Sequence, residues 1–536
     1  MVPKYDLMKE GDGMKWDVVI AGGGLGGCAA ALAACRGKLR VLLIEETDWL
    51  GGQSSAQGVP PDEHPWIEEF GCTASYREYR DRIRSHYLNK TPVLASAKSS
   101  QFNPGEALVS KICHEPGVSA EVLLEMLKPH VNEGLLTIKL NTRILAGERR
   151  ERNAVALELI HENNQSRVEA PYFIDATETG ELLALLDLPY RTGAEAKSET
   201  GEPHARETAD PLDIQAFTYV LAMEHRPGES HVIEKPEMYD YWKSCKPDIW
   251  PDAMLSFYAP HPHTGEKRPY SLFGEDGHFP LWTYRRCYSA TQFEQGESGD
   301  ISLMNWPQND YFFGNIYDVS EEEKEKHIYR AKQLSLSLLY WLQTEAPLPD
   351  GGIGYPGLRL RMDVFNTEDG LAKAPYIRES RRMNAHVTVK EQDVSPSFHP
   401  EGLGTRFNDS VGIGSYSIDL HPSMSGNNYL DIPALPFHIP LGALIPVDAD
   451  NVLGACKNIG TTHITNGCFR LHPVEWNIGE AAGEAVSYAL QHHLLASAIR
   501  EDEGHLTAFQ QQLTDHGVEI DWPDGFKVTA ETASRG

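Results

Sequence analysis

Residues 16–46 read "WDVVIAGGGLGGCAAALAACRGKLRVLLIEE", and no other stretch restricts the fold so strongly. Asp17–Ala21 is a short β-branched run, and Gly22, Gly24 and Gly27 follow with the spacing G-x-G-x-x-G. An alanine-rich helix then ends at Gly37, and a second apolar strand, "LRVLLIE", ends at Glu45. In such a unit Gly22 permits the tight turn, Gly24 lets a pyrophosphate reach the backbone, and Gly27 lets the helix lie against the sheet. The helix N-terminus then faces the negative charge. Glu45 is placed to accept hydrogen bonds from a ribose and repels a 2′-phosphate, which favours FAD or NAD over NADP.

The same glycine pattern recurs in "GIGYPG", residues 352–357, without its context. A polar, proline-containing loop precedes it, and Pro356 lacks the N–H that a phosphate would need. A Gly/Pro turn leading into a strand, "LRLRMDV", is the expectation there. One dinucleotide site is therefore expected, with no second Rossmann domain for a nicotinamide cofactor. Downstream features select FAD over NAD. A second glycine pair, Gly51–Gly52, follows the acidic strand end. A helix over 119–133, a strand over 135–141, a β-rich crossover and the strand Tyr172–Ala176 are expected in the order of a glutathione-reductase-type FAD domain.

At 536 residues the chain exceeds a single core, and its 41% apolar content suffices for several. The segments expected are 15–202 for the first part of an FAD-binding domain, 203–431 for a substrate domain, 432–495 for the second part and 496–536 for a helical tail. A formal charge of −29 opposes binding to nucleic acid or anionic membranes. No apolar run approaches a membrane span, and the N-terminus lacks a secretory h-region, so a cytoplasmic location is expected. The eight cysteines are scattered without metal spacing and read as reduced thiols.

Several stretches in fixed order carry a family resemblance: "GGGLGGCAAA", "LGGQSSAQGVPPDEHPWIEEFG", "FIDATETGELLAL", "MNWPQNDY", "RESRRMNAHVTVKEQDV", "YSIDLHP", "PFHIPLGALIP" and "TNGCFRLHPVEWNIGEAAGEA". From about Asp17 to Trp522 the chain resembles the FAD-dependent oxidoreductases often grouped beside "xanthan lyase" flavoproteins. The resemblance implies an α/β fold: a Rossmann-like FAD-binding domain, a parallel sheet with a β-meander crossover, interrupted by an α+β substrate domain. It implies FAD contacts at Gly22, Gly24, Leu25, Gly26, Gly27, Glu45, Gly52, Gln53, Arg143 (through its backbone), Asn477, Ile478 and Gly479. The chain departs from it at Glu178, where members carry a small or aromatic residue, and at Lys457, where arginine is common.

The C-terminal return reads as a strand, Asn451–Ala455, a glycine-containing loop and a helix beginning at "WNIGEAAGEAVSYAL". Its N-terminal N–H groups suit the pyrimidine edge of a reduced flavin. The middle of the chain is rich in Trp, Tyr, Phe, Pro and His, which suits either ring stacking or a loop-rich core.

Flavin chemistry asks the protein for substrate positioning and a base. "HITNGCFRLHP" offers His463, Arg470 and His472, and "YSIDLHP" offers Asp419 and His421. For each, a structural role stays open beside the catalytic one. "RESRR", Arg378–Arg382, reads either as internal ion pairs or as a contact to flavin or an anionic substrate. No G-x-S-x-G elbow or H-E-x-x-H motif supports hydrolysis or metal catalysis. The expected activity is oxidation of a small polar or ring-containing substrate by hydride transfer to flavin. A flavin monooxygenase fed by NAD(P)H and an RNA-modifying flavoprotein are the alternatives. The electron acceptor and any covalent flavin link are left open, and a homo-oligomer is compatible with the sequence.

Overall fold

The β-branched run Val18–Ala21 forms β1, the central strand of a five-stranded parallel sheet. Helix α1 (Leu25–Arg36) and strand β2 (Val41–Ile44) follow. Helix α2 (Pro116–Asn132) leads to β3 (Leu136–Lys139) at the sheet edge. An antiparallel meander of β4 (Thr142–Arg150), β5 (Asn153–His161) and β6 (Asn164–Glu169) crosses over to β7 (Tyr172–Asp175), which pairs with the other side of β1. This is the Rossmann-like FAD-binding fold. The computed structural model describes residues 16–262, 264–294, 299–426 and 429–529. Residue 15 and residues 530–536, the outer ends of two expected segments, lie outside the described residues, as does most of the N-terminal stretch read for a secretory signal.

A second core occupies the middle of the chain, built on Trp242, Trp306, Tyr311, Leu338 and Leu342 among others. Its antiparallel sheet places β8 (Leu221–His225) between β9 (Ile301–Met304) and β10 (Leu358–Leu360). The long helix α3 (Glu321–Thr344) covers this core, capped by Ser320 and with three glutamates in its first turn. "GIGYPG" lies between α3 and β10, as a turn entering a strand. That strand is shorter than the alternation of "LRLRMDV" suggests, because pairing with β8 stops at Leu360 and Met362–Phe365 turns into a helix.

The chain returns to the first sheet with β11 (Val452–Gly454), parallel to β7. Helix α4 (His463–Phe469) and helix α5 (His472–His492) follow. The start of α5 corrects the sequence reading: it lies at His472, with Pro473 in the first turn, and not at Trp476. Asn477, Ile478 and Gly479 therefore sit in the second turn, where N–H groups are consumed within the helix. Gly479 packs against α1 at a distance that excludes a side chain. A Cβ there would stand 2.0 Å from the Gly26 carbonyl oxygen.

Candidate active site

The glycine turn between β1 and α1 is held open by its surroundings. Gly22 has φ +95°, and a Cβ on it would meet the Ala176 carbonyl oxygen at 2.2 Å. The Gly23 N–H donates to Glu45 Oε2 at 2.8 Å, and Thr47 donates to the other oxygen through its N–H and hydroxyl. Burial, with Glu46 adding to it, pushes the Glu45 carboxyl up to about 7. The Thr142 N–H donates to the Glu45 carbonyl at 2.9 Å, which brings the backbone of neighbouring Arg143 to the same end of the sheet.

Gly51 donates to the Gly23 carbonyl at 2.8 Å, laying the Gly52–Ser54 turn alongside Gly24. Leu25, Gly26 and Gly27 open α1 beside it. Bare backbone at Gly24 and Gly52 faces a shared space that Glu178 enters: its Oε1 lies 3.0 Å and 2.5 Å from where Cβ atoms on the two glycines would be. The two departures from the family pattern explain each other here, since Lys457 pairs with Glu178. Glu475, from the first turn of α5, accepts from the Gly26 N–H at 3.1 Å and from Gln53 Nε2. Burial and then the Glu178 charge raise its carboxyl to about 7 against the pull of Lys457.

These residues fit a dinucleotide. The two glycines and the α1 start supply side-chain-free backbone of the kind a diphosphate needs, with the Glu178 and Glu475 carboxylates reaching into that space, and Lys457 supplies a cation. Glu178 Oε1 and Gln53 Oε1 are buried acceptors with no hydrogen-bond partner, suited to sugar hydroxyl donors. Asn477 is tied by its Nδ2 to the Val411 carbonyl at 3.1 Å, and Ile478 is buried.

The Gln53 side chain also donates to the Arg470 carbonyl at 3.1 Å, and beyond that point lies a buried charge cluster. Arg470 donates to Asp419 at 2.9 Å and to the Tyr376 hydroxyl at 2.6 Å. His421 lies between two carboxylates, with Nδ1 2.5 Å from Asp310 and Nε2 3.4 Å from Asp419. Burial works against both charges, but Arg378 and His421 hold the Asp310 carboxyl below its usual range, and His421 and Arg470 do the same for Asp419. Arg378 pairs with Asp310 at 2.9 Å. The sequence candidates Asp419, His421 and Arg470 thus meet in one place.

His463 stands apart from this cluster, and His472 borders it through Asp62. His463 starts α4 and faces Glu379 at 2.9 Å, and Glu379 in turn pairs with Arg382. Burial disfavours its charge, yet Glu379 outweighs burial and raises its pKa. His472 accepts the Asp62 N–H on Nδ1 at 3.2 Å and turns Nε2 to the Val59 carbonyl at 3.1 Å. With both nitrogens engaged and burial lowering its pKa to about 3, it is a neutral clamp on the loop that carries Asp62. The "RESRR" stretch is absorbed by internal pairs: Arg378 with Asp310, Arg381 with Asp318, and Arg382 with Glu195 and Glu379.

Asp62 and Arg285 were not singled out by sequence reasoning. Both are buried, and they meet at 3.5 Å beside the Arg470 cluster. The signal for Asp62 was the doubled proline before it in "GVPPDEHPW". Arg285 carried none, because its neighbours in space come from distant segments.

No curated protein matches this chain. Among solved structures it is similar to a geranylgeranyl bacteriochlorophyll reductase-like protein from Thermoplasma acidophilum, at 11% identity over 94% of this chain and 85% of that one, with a TM-score of 0.31. It is similar to the anhydrotetracycline hydroxylase OxyS from Streptomyces rimosus at 17% identity, covering 40% of this chain and 38% of that one, with a TM-score of 0.24. Lactococcus lactis thioredoxin reductase gives 18% identity, 30% and 35% coverage and a TM-score of 0.17. The chain thus spans little more than a third of the length of the last two. Among the described residues no helix is long and apolar enough to cross a membrane, and all eight cysteines are free. The family model for FAD dependent oxidoreductases matches residues 17–513, and the chain belongs to that family of FAD-dependent enzymes.

Proposed function

We propose that this enzyme oxidises a small polar substrate by hydride transfer to FAD, in a site formed by the Asp62, Arg285, Asp419, His421 and Arg470 cluster. The observation that carries the reading is the link from cradle to cluster: Gln53 touches Glu475 on the cofactor side and Arg470 on the other. FAD, when bound, supplies a two-electron acceptor for a substrate C–H lost as hydride. The protein's share is to orient that bond and to take up the accompanying proton.

The Gly22–Gly27 turn, Glu45, Gly52, Gln53 and the Arg143 backbone would hold the cofactor, and Lys457 would supply a cation to it. Asp62 Oδ1 is the proton acceptor, because it is a buried carboxylate oxygen with no hydrogen-bond partner. Burial raises the Asp62 carboxyl above its ordinary range, with Arg285 and Arg470 opposing, which makes it a stronger proton acceptor than an exposed carboxylate. His421 is braced between carboxylates, and Arg470 holds Asp419 and Tyr376 in place. His472 positions Asp62 and does not itself exchange protons.

Anaerobic mixing of oxidised holoprotein with a panel of small polar metabolites tests the reading, with the flavin absorbance band as readout. Bleaching by a substrate, lost in Asp62→Asn with FAD content unchanged, is expected. Bleaching by NADH or NADPH alone would replace this reading with the nicotinamide-fed monooxygenase.

A further inference from the structure

Among the described residues seven arginines are buried: Arg80, Arg84, Arg285, Arg378, Arg381, Arg382 and Arg470. Six of them meet a carboxylate oxygen at 2.9 Å or less. Arg285 is the exception. Its one hydrogen bond is the 3.5 Å contact to Asp62, beyond the 2.7–2.9 Å typical of a charged pair. Its Nε has no partner, and its guanidinium lies 4.8 Å from the centre of the Tyr284 ring. Asp62 mirrors this: one oxygen reaches Arg285 at that long distance, and the other has no partner. A buried cation and a buried anion stand side by side, each short of the hydrogen bonds its charge demands.

We propose that Arg285 and Asp62 are the two halves of a zwitterion-recognition site, and that the substrate is an α-amino acid or its N-substituted form. Its carboxylate is held by Arg285 and its ammonium by Asp62, which takes one ammonium proton so that the nitrogen lone pair is free when the Cα–H leaves as hydride to the flavin. This rests on the oxidase reading above and deepens it. Two features select a zwitterion over a simple anion or cation. Asp310 and Asp419 are already engaged by Arg378, Arg470 and His421, which leaves Arg285 and Asp62 as the two charges short of partners. A ligand of one sign would satisfy one of them and leave the other wanting, whereas a zwitterion serves both and adds no net charge. The spacing also suits it: the 3.5 Å gap puts an acceptor and a donor side by side, as the two ends of an α-amino acid require. The Arg285 guanidinium can grip a carboxylate bidentately, and Tyr284 stacks behind it.

The loop carrying Asp62 supports a fixed receptor. Val59 to Asp62 is buried throughout, and His472 clamps it at both ends through the Val59 carbonyl and the Asp62 N–H. Specificity then arises from position, with the anchor pair set before any ligand arrives.

The test uses holoenzyme and flavin difference spectra under anaerobic conditions. The probes are the twenty amino acids and N-methylglycine, each beside its carboxylate lacking nitrogen and its amine lacking the carboxyl group. At least one amino acid is expected to perturb or bleach the band, with both truncated analogues weaker by roughly 30-fold or more. In Arg285→Gln the amino acid weakens by a similar factor while its decarboxylated amine is unaffected. In Asp62→Asn the amino acid binds more weakly, by the band shift, while the nitrogen-free carboxylate binds no more weakly than in wild type. A general loss of structure cannot produce that crossed pattern, and Arg285→Lys, with retained FAD, provides a conservative check. If neutral alcohols or sugars bleach the band and Arg285→Gln is indifferent, the inference falls while the oxidase reading stands. If nothing but NADH or NADPH bleaches it, both fall.

Discussion

Replacing Glu475 by glutamine probes the cofactor cradle through a reversal of sign with pH. In the folded chain this carboxyl is raised from 4.5 to about 7, by burial first and by Glu178 second, with Lys457 opposing. A group raised on folding contributes stability that is fully present below the unfolded value and lost as pH rises through the folded one. Between pH 4.5 and 7 the wild-type protein therefore loses roughly 3 kcal/mol through Glu475 alone. The Glu475→Gln variant avoids that loss, and its amide oxygen still accepts the Gly26 N–H. It does place an amide NH2 opposite Gln53 Nε2, so Gln53 turns its unpartnered Oε1 inward and gives up its bond to the Arg470 carbonyl. That costs about 1 kcal/mol.

The net expectation for cofactor-stripped protein is a variant more stable by about 2 kcal/mol at pH 8 and less stable by about 1 kcal/mol at pH 5. With an unfolding entropy near 2.1 cal/mol/K per residue, a chain of 536 residues turns the first figure into a Tm rise of about 2 °C. Thermal unfolding of both proteins at pH 5 and pH 8 measures the difference. FAD titration supplies a second reading, because the Glu475 carboxylate occupies an α1 N–H that a diphosphate would use. Wild-type affinity for FAD should fall more steeply from pH 6 to pH 8 than that of the variant, in which Glu45, also raised to about 7, still titrates. A difference in Tm of the same sign and size at both pH values would refute the reasoning.

The remaining predictions concern packing, ion pairs and the clamp. Gly26→Ala puts a Cβ 1.7 Å from the Ala455 carbonyl oxygen, which only backbone movement relieves; purified variant should lack bound FAD, and full FAD content with a Tm within about 2 °C of wild type would count against the packing argument. Arg382→Met strands Glu195 without its cation and leaves Glu379 with His463 alone, and denaturant unfolding should show a loss of about 3–5 kcal/mol. The His463 pKa is raised because Glu379 outweighs burial, so its stabilising share is present below its ordinary 6.5 and lost as pH rises through the folded value. His463→Gln should flatten that decline in a Tm-against-pH profile. His472→Ala releases both ends of the Asp62 loop; it should retain FAD while slowing substrate bleaching of the flavin by about 100-fold, and wild-type rates would refute the clamp.

The first sheet was legible because its signals are local. Strand, glycine turn, helix and acid lie within 31 consecutive residues, and each level of the sequence demands the same local geometry. That "GIGYPG" is a turn entering a strand was equally readable, since Pro356 and the polar approach break the strand–turn–helix pattern locally. The start of α5 was misplaced although its signal was present. Pro473 is a good first-turn residue, but the small residues Gly479 to Gly483 drew the helix start toward the face that packs on α1. The candidate site was only half visible. Asp419, His421 and Arg470 sit in conspicuous motifs, whereas Asp310 reaches His421 across 111 residues and Arg285 reaches Asp62 across 223. Nothing in local pattern marks such partners. Lys457 and Glu178, each unusual alone, become intelligible only as an ion pair 279 residues apart in sequence.

A chain of formal charge −29 that places seven arginines inside is not using them for solubility. Buried ion pairs roughly break even against apolar packing when geometry is good, and they cost stability when it is not. Six of these arginines have tight carboxylate partners and are consistent with pairs that fix how distant segments meet: Arg382 joins the 195 and 379 segments, and Arg378 joins the 310 and 378 segments. Arg285 follows a different logic, since its long contact to Asp62 leaves two buried charges incompletely satisfied. Natural folds retain such a deficit where binding repays it, and the deficit here lies next to Arg470, whose carbonyl meets the Gln53 amide of the cradle. Among the buried arginines, the one without a close carboxylate partner thus stands where a ligand can supply it, which is the physical reason to look for the substrate there and not among the better-paired histidines.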